Sequence, residues 1–504
     1  MVSYMRKAIK STLIIYFFAI IGALFGYFLR ILFAHNLTVR EYGLFYAVFG
    51  LVSLMFIFRD LGYKTALIRY IPEFLVKKQI GNIKSSFVFV FLVQIVYSLI
   101  ISSFLFLMAN YLAVHYFQDM LAVNIIKVLA IWQIISCPLR VIQPGFRGFQ
   151  KFFLWSIINN LWIMCVFILA FIFFKLNLGY IAPGLAYMFY PLIFTGIFLP
   201  IFLKKVFPQF MTEKTKIDKK LFLKLTKFSI PQMFTNSSSV IMGYIDTIML
   251  TVFAGVSGVG LYHVALPTSR LVLLVGDSLN GFLMPFVSEL WTKKHIKHLI
   301  EGISLIYKYI AIAIAPVVLI VFAFSDLIIK LLFGNEYIGA SMPLKVLVLG
   351  LAAFTIFKIN SAVLLGINKP TTNAKILFIS VIFNVIANVI LIYFFKVTGA
   401  AIATSLSYFL LMFLSLYCLR NIMKIKLPIF YWIKILIVSI IIVLLTYFIK
   451  GIININPFIE TGLIILIIGV VYIVTLYLIG ILDIAEIKQI LIRLNLSKGK
   501  AKNK

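Results

Sequence analysis

The chain is a succession of long apolar runs broken by short polar segments. Each run lasts about 20 residues, which at ~1.5 Å of rise per residue crosses the ~30 Å hydrocarbon core of a bilayer as a helix. Fourteen runs stand out: 11–33, 43–59, 85–110, 121–142, 152–174, 179–202, 228–254, 259–289, 303–325, 343–366, 372–395, 398–419, 429–449 and 461–482. The ~10-residue alternating segments of a transmembrane barrel are absent. The pattern predicts an all-α, polytopic membrane protein with about 14 transmembrane helices. The breaks at 34–42 and 255–258 are short enough to hold a re-entrant turn.

Composition points to the same solvent. Of the 504 residues, 63% are hydrophobic and 12% charged, against about 25% charged in soluble domains. The net charge of +31 would suit nucleic acid, but its placement argues otherwise. Counted by loop, 34 lysines and arginines fall on one side of the predicted spans and five on the other. That bias places both termini in the cytoplasm of a multi-pass cell-membrane protein. It makes the charge a topology signal facing anionic lipid, with no nucleic-acid partner. Met1–Lys10 is basic and leads into a full span, so it reads as a signal anchor that stays. Cys137, Cys165 and Cys418 have no close spacing, and His295 with His298 is too little for a metal site. No metal or cofactor is expected.

A weak internal repeat organises the spans. Gly43-Leu44-Phe45 recurs as Gly260-Leu261-Tyr262, and Asp60 as Asp277, both at an offset of 217. Gly148-Phe149-Gln150-Lys151 recurs as Gly366-Ile367-Asn368-Lys369, and Gly179-Tyr180-Ile181-Ala182 as Gly399-Ala400-Ala401-Ile402. Six helices separate the copies, so both insert the same way up, as in transporters built from parallel repeats. The organisation predicted is two pseudo-symmetric six-helix lobes, 1–202 and 228–425, joined by a basic linker, 203–227. Two extra helices follow in 426–485, and a basic cytoplasmic tail in 486–504. At the linker's end Leu221, Phe222, Leu225 and Phe228 share a face flanked by lysines, which suits a helix lying on the membrane surface.

The candidate chemistry lies in charges stranded within the spans: Arg30, Arg59, Asp60, Lys127, Asp246, Arg270, Asp277, Lys308 and Lys358. A charge at the bilayer centre costs roughly 2.5–3.5 kcal/mol on insertion scales, so it faces a cavity, a partner or a substrate. Arg270 lies about 17 Å into its span, beyond snorkelling reach. Either it faces a cavity or it is held in a buried pair, for which Asp246 and Asp277 are the candidates. Asp277 is two helical turns on, on the same face, and suits a counter-ion, a cation ligand or a proton carrier. For Arg30, near the outer end of its span, snorkelling competes with a functional role. Arg59 and Asp60, at the inner end of the second span, fit structural pairing or a helix cap as well as function. Lys358 is a further binding candidate. Lys127 and Lys308, near span ends, read as snorkelling anchors.

These residues resemble a family. Arg40-Glu41-Tyr42-Gly43-Leu44-Phe45 follows the opening helix, Arg59-Asp60-Leu61-Gly62 closes the second span, and Phe228-Ser229-Ile230-Pro231 opens the seventh. Tyr244-Ile245-Asp246 precedes Val259-Gly260-Leu261-Tyr262, and Leu332-Phe333-Gly334-Asn335-Glu336-Tyr337 lies in an outward loop. In this order they are similar to polysaccharide-export flippases of the multidrug/oligosaccharidyl-lipid/polysaccharide (MOP) superfamily, over about residues 1–485. The resemblance implies a carrier that moves a lipid-linked oligosaccharide on a polyprenyl phosphate or diphosphate across the membrane by alternating access. Its partners are that substrate, membrane lipids, and Na+ or H+ as coupling ion. It implies substrate-binding roles for Arg30, Arg59 and Arg270; Lys358, from its place in the tenth span, is a further binding candidate. Asp246, Asp277 and Asp60 are left as coupling or counter-ion residues. A cation-coupled multidrug antiporter of the same superfamily is the alternative; acids would then dominate. A glycan polymerase or ligase would need a large, acidic outward loop, whereas the longest here is about Asp326–Met342. No GxxxxGK[ST] loop occurs, so ATP hydrolysis, or any enzymatic role, is not expected.

Overall fold

A computed structural model describes residues 2–57, 59–215, 219–425, 427–450 and 457–481. Among these every regular element is a helix. In chain order they are α1 Val2–Asn36, α2 Val39–Met55, α3 Tyr63–Val76, α4 Ile80–Leu112, α5 Ala122–Ile135 and α6 Cys137–Gly148. Then come α7 Phe152–Asn160, α8 Trp162–Lys175, α9 Ala182–Ile201, α10 Lys219–Ser269, α11 Leu273–Thr292 and α12 Ile296–Ala323. The last are α13 Ser325–Phe333, α14 Ser341–Gly366, α15 Pro370–Met423, α16 Ile429–Lys450 and α17 Pro457–Leu478. The tail 486–504 and part of the 203–227 linker lie outside the described residues.

Nine helices among the described residues are long and apolar enough to cross a membrane, ten if α5 and α6, bent by 44° at Ser136, form one span. Two helices exceed any bilayer. α10 turns over at Gly255, φ 72°, which a residue without Cβ adopts at little cost. α15 turns over at Lys396, φ 51°, whose ammonium donates to the Phe253 carbonyl at 3.0 Å. α15 therefore holds two of the runs read from the sequence, and α10 holds one and the start of the next, which continues into α11. The break at 34–42 is a capped turn: Thr38 Oγ1 accepts from Glu41 N at 3.3 Å, and the Glu41 carboxylate accepts from Thr38 N at 3.0 Å.

The helices group into two compact units. The first comprises Met1–Pro267, Ile329–Ala340 and Ala387–Ala400; the second comprises Thr268–Ile328, Ser341–Ile386 and Ala401–Lys504. In the first unit α1, α2, α4, α5, α8 and α9 pack through Phe33, Leu44, Phe45, Leu105 and Leu129, all fully buried. α2 crosses α10 at Gly43 and Gly260, close enough that a Cβ on Gly43 would lie 2.7 Å from the Gly260 nitrogen. In the second unit α16 and α17 are held to α12 by an apolar cluster around Leu319, Phe324, Val438, Ile442 and Leu476. The Tyr472 hydroxyl reinforces it by donating to the Ile312 carbonyl at 2.9 Å.

The start of α10 departs from the surface helix suggested by its amphipathic face. Leu221 and Leu225 are buried, Phe222 stacks on Phe89 at 4.3 Å, and Phe228 meets Tyr70 edge-on at 5.6 Å. Protein covers that face, so its apolar residues follow the rule for a helix docked on a domain. Glu73 of α3 fastens the contact, accepting from Lys77 at 2.7 Å and Lys224 at 2.9 Å, and the two ammonium groups hold its carboxyl down at about 2. A depressed folded pKa stabilises above the unfolded value and is lost as pH falls through the folded one. The melting-point gap between wild type and Glu73→Gln should thus be equal at pH 7 and pH 5. It should shrink as pH drops from about 4.5 toward about 2, with a ceiling of roughly 1 kcal/mol for so exposed a bridge. A gap unchanged at pH 3 would remove the ion pair from the account.

Candidate functional site

Arg30 is turned into the protein. Its Nη1 donates to the His263 carbonyl at 3.4 Å, and its guanidinium lies 5.2 Å from the centre of the Tyr46 ring. The His263 ring stacks on Tyr46 at 4.5 Å with 10° between planes, while its Nε2 sits 2.9 Å from Thr247 Oγ1. The Tyr42 hydroxyl donates to the same His263 carbonyl at 3.4 Å. Tyr42 and Tyr46 are one helical turn apart on α2, so both rings face the guanidinium side. A planar cation over an aromatic face keeps its charge and leaves edge donors for an anion. The snorkelling alternative for Arg30 does not describe this side chain, which reaches across 233 residues of sequence to α10.

Asp246, next to Thr247 on α10, is 8% exposed. Its Oδ2 accepts from the Tyr262 hydroxyl and its Oδ1 from the Asn388 amide, both at 2.7 Å. A carboxylate that accepts hydrogen bonds can also ligate a cation or take up a proton. Tyr262 and His263 are adjacent, so one turn of α10 links the carboxylate to the aromatic–arginine cluster.

A second group gathers at the other end of α2. Arg59 is 6% exposed, donates to Gln133 Oε1, and lies 5.3 Å from the Phe56 ring centre. Asp60 Oδ1 accepts from the Lys64 backbone nitrogen and from Gln94 Nε2, each at 3.2 Å. Asp60 therefore ties the first turn of α3, whose N-cap position is Gly62, to Gln94 of α4. Arg140, on α6, hydrogen-bonds Ser136 Oγ at 3.0 Å and stands 5.6 Å from the Trp132 ring centre. Arg147 stands 5.2 Å from that of Trp155, and Gln143 Nε2 donates to Asn159 Oδ1 at 3.3 Å.

In the second unit Arg270 is exposed, opens the single turn Arg270–Val272 that joins α10 to α11, and makes no ion pair among the described residues. Lys358 is half-buried on α14. The Asp277 side chain lies outside the described residues. Lys308 is no snorkelling anchor: it is 7% exposed, with its ammonium 5.0 Å from the Tyr431 ring centre. No group of three or more His, Cys, Asp or Glu that would hold a metal ion occurs among the described residues.

Sequence reasoning missed His263, because one imidazole in an apolar run carries no periodic signal. It also passed over Arg140 and Arg147, counted as loop charges when both lie on a helix. A signal existed: Ser136, Arg140, Gln143 and Arg147 recur at i, i+4, i+7 and i+11, the spacing of one helix face.

Residues 8–291 match the model of the family described as "Polysaccharide biosynthesis protein", and residues 231–390 match the MatE model. An uncharacterized membrane protein of Methanocaldococcus jannaschii is 31% identical over 97% of this chain and 99% of its own length. The probable low-salt glycan biosynthesis flippase Agl15 of Haloferax volcanii is 31% identical over 33% of this chain and 35% of its own. The fold is shared with the lipid II flippase MurJ in its inward closed conformation: TM-score 0.70, 17% identity, 93% of this chain and all of that one.

Proposed function

We propose, since this chain belongs to the polysaccharide biosynthesis protein family, that it flips a lipid-linked oligosaccharide across the cell membrane for glycan biosynthesis. The observation that carries the proposal is positive charge buried among apolar helices: Arg30 over Tyr46, and Arg59 in the turn after α2, beside Gln133. A phosphodiester or diphosphate stays anionic and cannot cross oil unaided. An arginine fork stays protonated without water and matches phosphate oxygens. The polyprenyl tail stays in lipid while the headgroup exchanges one cation for the next. Arg30, Arg59, Arg270 and Lys358 are the binding residues of this reading, and tyrosines beside them stack on sugar. Asp246 is the group proposed to take the coupling Na+ or H+, with Asp277 and Asp60 as lesser candidates. The 34-to-5 loop bias supports termini in the cytoplasm.

The experiment is translocation by the purified protein in vesicles, read as access of a membrane-impermeant lectin to a lipid-linked oligosaccharide. Wild type should move it. Arg30→Gln and Arg270→Ala should each slow it more than tenfold at equal membrane abundance. Full-speed transport by both well-inserted variants would sink the arginine assignment. The MatE match over 231–390 favours one second reading, a cation-coupled multidrug antiporter. Drug efflux without glycan-lipid movement in the same vesicles would select it.

A further inference from the structure

Beyond the binding residues already assigned, α6 carries an unassigned set of charges. It follows the 44° break at Ser136, and its two faces differ sharply. Val141, Ile142 and Phe146 are buried on one side. Arg140, Gln143 and Arg147 line the other, where Gln143 is tied to Asn159 of α7 and the two arginines lie over Trp132 and Trp155.

The charges around this face do not balance. The Arg140 charge bears on both Arg59 and Lys64, and that of Arg147 on Lys64. Among the described residues these four cations face one carboxylate, Asp60, whose Oδ1 is already engaged by Gln94 and the Lys64 backbone. Like charges brought together at the margin of a membrane repel one another unless an anion lies among them. The donors tell the same story: Arg59 Nε and the Trp155 indole nitrogen are buried without a hydrogen-bond partner among the described residues. A buried donor left unpaired is costly, and a site of surplus donors and surplus positive charge calls for an oxygen-rich anion. Gln94 Oε1, an unpaired acceptor beside Asp60, is the exception.

We propose that Arg140, Arg147 and Lys64 form an entry site that takes the diphosphate of the lipid-linked substrate first, before Arg59 and Arg30 receive it. The inference rests on the flippase reading and adds the place where substrate loads. Arg147 is exposed, Arg140 half-buried and Arg59 buried, so the three arginines grade from surface to interior. An anion handed along that series loses water stepwise and meets a fixed cation at each stage.

The test is calorimetric binding to the full-length protein in detergent, with farnesyl diphosphate, inorganic pyrophosphate and farnesol as probes. Farnesyl diphosphate should bind more tightly than pyrophosphate, and farnesol should bind alike to every variant. The double variant R140Q/R147Q should bind both diphosphates at least tenfold more weakly than wild type, with R140K/R147K recovering part of the loss. R147Q alone, at an exposed position, should weaken binding severalfold without a change in melting temperature, so a misfolded double variant does not end the test. Affinities unchanged within twofold in R140Q/R147Q and R147Q would overturn the entry site. Pyrophosphate binding as tightly as farnesyl diphosphate would overturn the lipid headgroup as its ligand. Failure of wild type to translocate glycan lipid in vesicles would strike the flippase reading instead, and leave the diphosphate comparison standing by itself.

Discussion

Gly43→Ala should remove most of the properly folded protein from the membrane, a large effect for a one-methyl change. At Gly43 the helices α2 and α10 meet backbone to backbone. An added Cβ would run into the Val256 carbonyl oxygen and lie 2.7 Å from the Gly260 nitrogen. The reciprocal change, Gly260→Ala, would meet the Val39 carbonyl and sit 3.2 Å from the Gly43 nitrogen. Backbone atoms cannot rotate away as a side-chain tip can, so the helices must separate. Overpacking of this kind costs about 1–3 kcal/mol in a well-packed core. Tyr42, Tyr46 and His263 ride on these two helices within a turn of the crossing, so the shift also opens the cluster around Arg30. The measurement is the yield of monodisperse protein and its melting temperature. Gly196→Ala serves as control, because a Cβ there meets nothing within 4 Å. A Gly43→Ala protein that melts and transports like wild type would show that the crossing yields freely.

That contact also marks how far the sequence could be read. Gly43 and Gly260 were visible as equivalent positions of a repeat, 217 residues apart. A periodic pattern, however, gives the face of a helix and not its neighbour. That the equivalents touch each other, each meeting the other's backbone, follows only from packing, and is the reciprocity expected of a two-fold contact. The helices themselves were legible because runs of Leu, Ile and Phe leave no alternative in lipid. So was the interest of Arg30 and Asp246, because charge in an apolar run is expensive wherever it points. Their partners were not legible: His263 comes to Arg30 from 233 residues away, and Asn388 to Asp246 from 142. The bias of cations to one side, on which the expected orientation rests, hid Arg140 and Arg147 among loop charges. Lys308 misled for a related reason: depth along a span says nothing of the aromatic ring that covers it.

Asp246 separates structural from coupling chemistry, because alanine and asparagine there should differ. Asp246→Ala removes the acceptor of two buried donors, the Tyr262 hydroxyl and the Asn388 amide. Each orphaned donor costs about 1–3 kcal/mol, so this variant should melt well below wild type and transport little. Asp246→Asn keeps the shape and one acceptor oxygen but loses the charge, so most of the stability should remain. If Asp246 takes the coupling ion, the asparagine variant should lose the acceleration that an imposed Na+ or proton gradient gives wild type, while downhill exchange of substrate persists. If the carboxylate only holds Tyr262 and Asn388 in place, transport and melting temperature should fall in step across both variants, and the surviving transport should keep its response to the gradient. The asparagine protein therefore decides: stable and deaf to the gradient assigns coupling to Asp246, whereas stable and still driven by it moves coupling elsewhere, with Asp277 next to be tested.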